Sequence, residues 1–410
     1  MAGDPRKRRI RSLTVLLFSI LLVSCQSNQS VSAGTAFAYT RQMPTISSAD
    51  WAARGTVVSS SDHPSFDMTA LPAGSSARAM VYRSVSGITG AGTQVSGAVF
   101  LPPGAPPAGG WPVIGWAHGT VGVTSDCGPT GDARLFGDIE AVAGQLSQGY
   151  AVAFTDYAGL RGGPMTIADT PHAYLEPKSA AFNLIDAVRA ARSVVPQLSD
   201  RWVAVGGSQG GQTAWATAEY NAAYGQGLDL LGAAAIVPAL DVSDVVRQAQ
   251  DGTLSRDDLS VYPYVITGLA AVDPSLKFGD YLHGSLLDQR EVLISCAPQA
   301  QDRKAQLQAT LTGADAKPSS PEAAERLAHR LADYALPQQP TGVPVLAVYG
   351  GADQTVAPEW TEVAIRKGCA LGDTVQRQRV DGQGHELDPG AVLSKWVADR
   401  FAGAPAPDNC

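Results

Sequence analysis

Ser208, Asp353 and His385 have the residue types, and the order along the chain, that nucleophilic acyl transfer needs. A serine hydroxyl is a weak nucleophile at neutral pH. An imidazole must take its proton, and a carboxylate must hold that imidazole in the right tautomer. Ser208 sits in "GGSQG", residues 206–210, which fits G-x-S-x-G. In a nucleophile elbow the serine occupies a strained strand-to-helix turn, and glycines flank it because side chains there would collide with neighbouring backbone. In a chain with 43 glycines such a pentapeptide could also be a plain structural turn. Its context favours the elbow, because the apolar run "WVAV" precedes it and the helical pattern "GQTAWATAEYNAAY" follows. Gly206, Gly207, Gly210 and Gly211 are then read as making room for the turn. The elbow also sets Ser208 at a helix N-terminus, whose dipole favours negative charge.

The order Ser, then acid, then His is that of α/β-hydrolases. Of six histidines, only His385 follows a late strand, in the glycine-containing turn "DGQGHELD". His283 and His329 fall in a helical stretch far from such a turn, and His118 reads as packing beneath a loop. Asp353 ends the apolar run "LAVYGGAD"; Asp381, within the His385 loop, and Asp156, ahead of Ser208, are its rivals. The tetrahedral oxyanion needs two donors. One is expected from the backbone N–H of Gln209. The other is expected from Thr120 in "HGTVG" (118–122), with its hydroxyl assisting. Gln209 is thus given a role through its backbone and not its amide. No CxxC or Cys/His cluster suggests a metal, and the chemistry needs no cofactor.

Elements must carry these residues to one place. "WPVIGWAHG" (111–119), "YAVAFTDYAG" (150–159), "RWVAVGG" (201–207), "LLGAAAIVPA" (230–239) and "VPVLAVYGGAD" (343–353) read as buried strands. Helical patterns alternate with them, at 132–148, 179–195, 211–224 and 389–401. Nearly continuous apolar strands between helices argue for a mostly parallel sheet covered on both faces. The rhythm breaks over 241–340, which is helical and polar and reads as a cap inserted between two strands. The expected organisation is a leader at 1–24, a tether at 25–49, core at 50–240, cap at 241–340 and core again at 341–410.

Charged residues make up 17% of the 410, and the formal net charge is −8. That excludes the basic footprint of a nucleic-acid binder. The basic segment "RKRRIR" (6–11) precedes the apolar run "SLTVLLFSILLVS" (12–24), which is too short for a comfortable membrane span and suits a signal peptide. The run ends in "LLVSC", a pattern similar to the lipobox in which the cysteine, here Cys25, is lipidated and becomes the N-terminus. Export with anchoring to a membrane surface is the expectation; plain secretion is the alternative. The remaining chain would carry a net charge of −12. Four cysteines then remain, Cys127, Cys296, Cys369 and Cys410, an even number that in an exported protein suggests two disulfides; three pairings are possible.

The motifs "WAHGTVG", "DYAGL", "GGSQGG", "GGADQTV" and "GQGH", with a cysteine in the helical insertion and another at the C-terminus, resemble the secretory lipase family of the α/β-hydrolase superfamily over residues 80–410. The resemblance implies a serine carboxylic-ester hydrolase acting on acyl esters such as lipids, with a helical cap over an apolar cleft. It also implies the pairings Cys127–Cys296 and Cys369–Cys410. The lipobox is not general in that family. An exopeptidase or acyltransferase of the same fold is the alternative activity, and a binding module without catalysis would have no use for all three residues. A monomer is the default.

Overall fold

The structure is a computed structural model that describes Met1 and residues 39–62, 65–162 and 170–410. The leader, Cys25 and His63 lie outside the described residues.

Nine strands form one mixed sheet: β1 (Val57–Asp62), β2 (Ser76–Val85), β3 (Gly92–Leu101), β4 (Trp111–Ala117), β5 (Ala151–Thr155), β6 (Leu198–Gly207), β7 (Asp229–Ile236), β8 (Val345–Gly350) and β9 (Val375–Val380). Their order is β1-β2-β3-β5-β4-β6-β7-β8-β9. The β1–β2, β2–β3 and β3–β5 pairs are antiparallel, and every pair from β5 to β9 is parallel. The central strands are buried on both faces, which is why β4 to β8 carry so few polar residues.

The helices are α1 (Ser48–Ala53), α2 (Ile139–Ser147), α3 (Pro177–Val194), α4 (Gln209–Tyr224), α5 (Val245–Asp251), α6 (Arg256–Val272), α7 (Gly284–Asp288), α8 (Arg290–Leu293), α9 (Gln301–Gln308), α10 (Pro321–Tyr334), α11 (Pro358–Leu371) and α12 (Gly390–Phe401). Two apolar layers sandwich the sheet. Phe182, Ile185, Val188 and Ala191 of α3 pack with Trp215 of α4 on one face; Ile139 of α2 and Leu393 and Trp396 of α12 pack with Trp116 and Val205 on the other. The Glu176 carboxylate caps α3, accepting from the N–H groups of Lys178 and Ser179.

Helices α5 to α10 all lie between β7 and β8, and they build an apolar core of their own around Val245, Tyr262, Val265, Leu269, Leu327 and Leu331. Disulfides join Cys127 to Cys296 and Cys369 to Cys410, with Cα separations of 5.6 and 5.5 Å. The first ties the loop after β4 to this helical insertion. The second ties α11 to the C-terminus.

Two expectations need correction. The helical pattern at 132–148 yields a regular helix only from Ile139, because Leu135 (φ 54°) and Phe136 (φ 51°) are left-handed and Gly137 follows at φ 110°. The Asp132 carboxylate accepts from the N–H groups of Arg134 and Phe136, offering the backbone an alternative to the helix. Residues 39–49, read as part of a free tether, are docked on the body. The Arg41 guanidinium donates to Ala332 O (2.6 Å), the Arg41 carbonyl accepts from Tyr220 Oη (3.0 Å), and the buried Lys178 ammonium donates to the carbonyls of Thr40 and Gln42. A buried ammonium needs such acceptors, and a mainly polar composition conceals that use.

Candidate active site

Ser208 ends β6 and caps α4 with φ 56° and ψ −114°, a left-handed conformation that an L-residue adopts only where its surroundings enforce it. The enforcement is close backbone approach. A Cβ on Gly206 would lie 2.3 Å from Gly210 O, and one on Gly210 would lie 1.9 Å from Ala117 O. Gly211 is hemmed in by Ile236 O. Gly207 is not needed for room, since a Cβ there would meet nothing within 4 Å. Ser208 N–H donates to Ile236 O (2.9 Å), fastening the turn to the end of β7.

His385, in the loop after β9, brings Nε2 to 2.9 Å from Ser208 Oγ. Its Nδ1 stands 2.8 Å from Asp353 Oδ2, in the turn after β8. A carboxylate can only accept, so Nδ1 carries the ring proton and Nε2 is free to accept from the serine hydroxyl. Ser208, Asp353 and His385 are separated by 145 and 32 residues in sequence and meet in one chain of hydrogen bonds. Asp353 is buried, and His385 is partly exposed to the cavity above it.

Thr120 lies in the loop after β4, beside Ser208: a Cβ on the preceding Gly119 would be 4.0 Å from Ser208 Cβ. The N–H groups of Thr120 and Gln209 donate to no acceptor among the described residues. The two side chains also touch, with Thr120 Oγ1 donating to Gln209 Oε1 at 3.5 Å.

This contact belongs to a buried polar chain that sequence reasoning missed. Tyr174 Oη and Thr120 Oγ1 are 2.7 Å apart. His172 Nδ1 lies 3.0 Å from Ala158 O and must donate to it, which leaves His172 Nε2 to accept from Gln209 Nε2 at 3.2 Å. The amide of Gln209 is therefore oriented, and it does have a structural part to play. Burial lowers His172 to about 4 and raises Tyr174 to about 12, so both are neutral. His172 and Tyr174 belong to "PHAYLEP", a segment with no motif to mark it.

The rival residues lie elsewhere or are committed. His118 is buried, stacked on Phe154, with Nδ1 2.6 Å from Gly119 O; burial lowers it to about 4. Asp156 is buried and accepts from Ser96 Oγ and from the N–H and hydroxyl of Thr130. Asp381 is exposed and pairs with Arg379. His329 is exposed beside Asp333, and His283 meets Lys317 O. Among the described residues, the one grouping with metal-ligand chemistry is Asp126, Cys127 and Cys296, whose two sulfurs form the disulfide.

Ser208 and His385 open into a cavity of about 910 Å³. One lobe of its lining, on the side of the insertion core, consists of Val242, Val245, Tyr262, Val265, Val356 and Trp360. The other, on the side of the core that includes α2 and α12, consists of Trp116, Phe136, Asp138, Val205, Leu387 and Leu393. Among the described residues, five carboxylates line the cavity (Asp138, Asp257, Asp258, Glu386 and Asp388), and no Lys or Arg does. No helix among the described residues is long and apolar enough to cross a membrane.

Comparison with solved structures finds Candida antarctica lipase A in its closed state, at 15% identity and TM-score 0.69, covering 87% of this chain and 86% of that one. A mutant of the rice cell wall degrading esterase LipA from Xanthomonas oryzae aligns at 22% identity and TM-score 0.66, over 85% and 98% of the two chains. A putative hydrolase from Legionella pneumophila aligns at 17% identity and TM-score 0.67, over 84% and 97%. These likenesses show the α/β-hydrolase fold. Comparison with curated protein sequences finds no match. A family model described as secretory lipase matches residues 136–409, a span that holds the elbow, the helical insertion, Asp353 and His385. With fold and family match in agreement, this chain belongs to the secretory lipase family, ester hydrolases built on the α/β-hydrolase fold.

Proposed function

We propose that the chain hydrolyses carboxylic esters of acyl chains, lipid esters among them, through an acyl-enzyme on Ser208. The observation that carries this is the continuous path from Ser208 Oγ through the His385 ring to Asp353, opening on a cavity with apolar side chains such as Val242, Val245, Val265 and Val356 in its lining. His385 Nε2 takes the hydroxyl proton as Ser208 Oγ attacks the ester carbonyl. The N–H groups of Gln209 and Thr120 receive the oxyanion. The tetrahedral intermediate collapses, the alcohol leaves with the proton from His385, and the acyl group stays on Ser208. Water then attacks that acyl group, giving a proton to His385; as the bond to Ser208 Oγ breaks, His385 returns that proton to Oγ and the acid is released. Asp353 holds the tautomer and stabilises the imidazolium. Residues 241–340 act as the cap, with the acyl chain in the lobe beneath it.

Turnover of p-nitrophenyl esters of graded acyl length, with aminoacyl anilides in parallel, tests the reading. A fluorophosphonate should label wild type and not Ser208→Ala. Ester turnover that persists undiminished in Ser208→Ala would sink the mechanism. Anilide turnover exceeding ester turnover would favour the exopeptidase.

For the segment ahead of residue 39 we propose export and lipidation at Cys25, with the enzyme held at the cell envelope. Palmitate labelling that disappears in Cys25→Ser supports this; an unlabelled, freely released wild type overturns it.

A further inference from the structure

The second lobe of the cavity differs in chemistry from the one under the cap. Trp116 enters it from β4, where it pairs with Val205, three residues before Ser208. Asp138 enters from the start of α2, and Trp116 Nε1 donates to its Oδ2 at 2.9 Å. Among the described residues, Trp116 is the only hydrogen-bond partner of that carboxyl group. The other carboxyl oxygen is left without a partner on a residue that lines the cavity. Burial pushes this carboxyl up to about 6, the opposite of what a structural ion pair would do. The approach to it is built at a cost. Leu135 and Phe136 both hold left-handed backbone just before Asp138, and Phe136 lines the same lobe.

Resting on the ester-hydrolase reading, we propose that this lobe holds the alcohol portion of the ester, and that Asp138 selects alcohols carrying a free hydroxyl. The scissile carbonyl must sit at Ser208, so the two halves of an ester extend into two different lobes. The lobe under the cap offers Val242, Val245, Val265 and Val356, suited to an alkyl chain. The Asp138 lobe offers a carboxyl oriented by Trp116 with one oxygen open, suited to a donor on a small polar group. Among the described residues no Lys or Arg lines the cavity and five carboxylates do, which disfavours anionic head groups and leaves uncharged polyols such as glycerol. A donor that pairs with the open oxygen gives it the partner that the protein does not supply. An alkyl alcohol in the same place leaves it unpaired, and such differences make hydrogen-bonding sites selective.

The test compares glyceryl 1-monobutyrate with n-propyl butyrate. The two share an acyl group and a three-carbon alcohol and differ by two hydroxyls. The quantity read is the ratio of their kcat/KM values, in which general effects on the enzyme cancel. Wild type should favour the glyceryl ester. In Asp138→Ala the ratio should fall about tenfold. Asp138→Asn keeps the volume and an acceptor for Trp116 Nε1 but replaces the open oxygen by an amide group, so it should fall similarly; it answers the question if the alanine variant does not fold. A ratio within about twofold of wild type in the folded variant overturns the proposal. If wild type hydrolyses neither ester, nor any ester of the p-nitrophenyl series, the underlying ester-hydrolase reading fails instead.

Discussion

The carboxylate of Asp353 is held from both sides: Oδ2 faces His385 Nδ1 at 2.8 Å, while Oδ1 accepts from the N–H groups of Thr355 (2.8 Å) and Val356 (2.9 Å). The turn after β8 thus orients the carboxylate through contacts that do not involve His385. Asp353→Asn keeps the shape but lets the ring adopt the wrong tautomer. We expect kcat on a p-nitrophenyl ester to fall about 10⁴-fold. Asp381→Asn, at an exposed residue paired with Arg379 in the same loop as His385, should stay within about twofold. Equal losses in the two variants would show that the acid has been misassigned.

The elbow glycines should not be equivalent. Gly210→Ala would drive a Cβ to 1.9 Å from the backbone oxygen of Ala117 and should destabilise by about 1–3 kcal/mol or prevent folding. Gly207→Ala meets open space and should leave the melting temperature nearly unchanged. Thermal melts of the two variants check this directly.

The Cys127–Cys296 disulfide closes a separation of 169 residues and joins the loop carrying Thr120 to the helical insertion. Replacing both cysteines by serine should cost about 2–5 kcal/mol, read by chemical denaturation. Ester turnover should fall as well, because that loop would lose its fastening to the insertion.

Glu219 of α4 accepts from Trp215 Nε1 and from the N–H groups of Gln338 and Gln339, where the chain returns from α10 to β8. Burial, which outweighs these donors, raises its folded-state value to about 8, with the Asp373 carboxylate adding to the rise. The unfolded chain releases this proton near pH 4.3. Between those values the folded state holds more protons, so this group's stabilisation is full below about pH 4.3 and is lost as pH rises through 8. Wild type should therefore lose stability from pH 5 to pH 9 relative to Glu219→Gln, which does not titrate. Melting curves at several pH values decide it; a difference independent of pH would count against the buried proton.

Residues 39–43 act as a strap between the α3 N-terminus and the end of α10. Tyr39 Oη donates to Glu176 (2.8 Å), Lys178 Nζ lies 4.3 Å from the Tyr39 ring, and Arg41 holds Ala332 O. A chain beginning at Pro44 leaves the buried Lys178 ammonium without two acceptors. Its stability should drop by about 1–3 kcal/mol by denaturant titration.

Much of this molecule is written in local pattern. The apolar runs that became β4 to β8 could only be strands buried on both faces, and the helical insertion showed itself by breaking their rhythm. Ser208, Asp353 and His385 were legible because each occupies a turn directly after a strand, where short-range rules apply. Local pattern misled where side chains competed with the backbone, as Asp132 does with the start of α2, and where backbone carbonyls had distant partners, as those of Thr40 and Gln42 do in Lys178. Only the tertiary structure decided what depends on contact between remote segments. It brought Tyr174, Thr120, Gln209 and His172 into one buried polar chain, and it set Asp138 against Trp116 in the cavity of Ser208. A hydrogen bond across tens of residues leaves no periodicity in sequence, because its partners are chosen by the packing of whole elements.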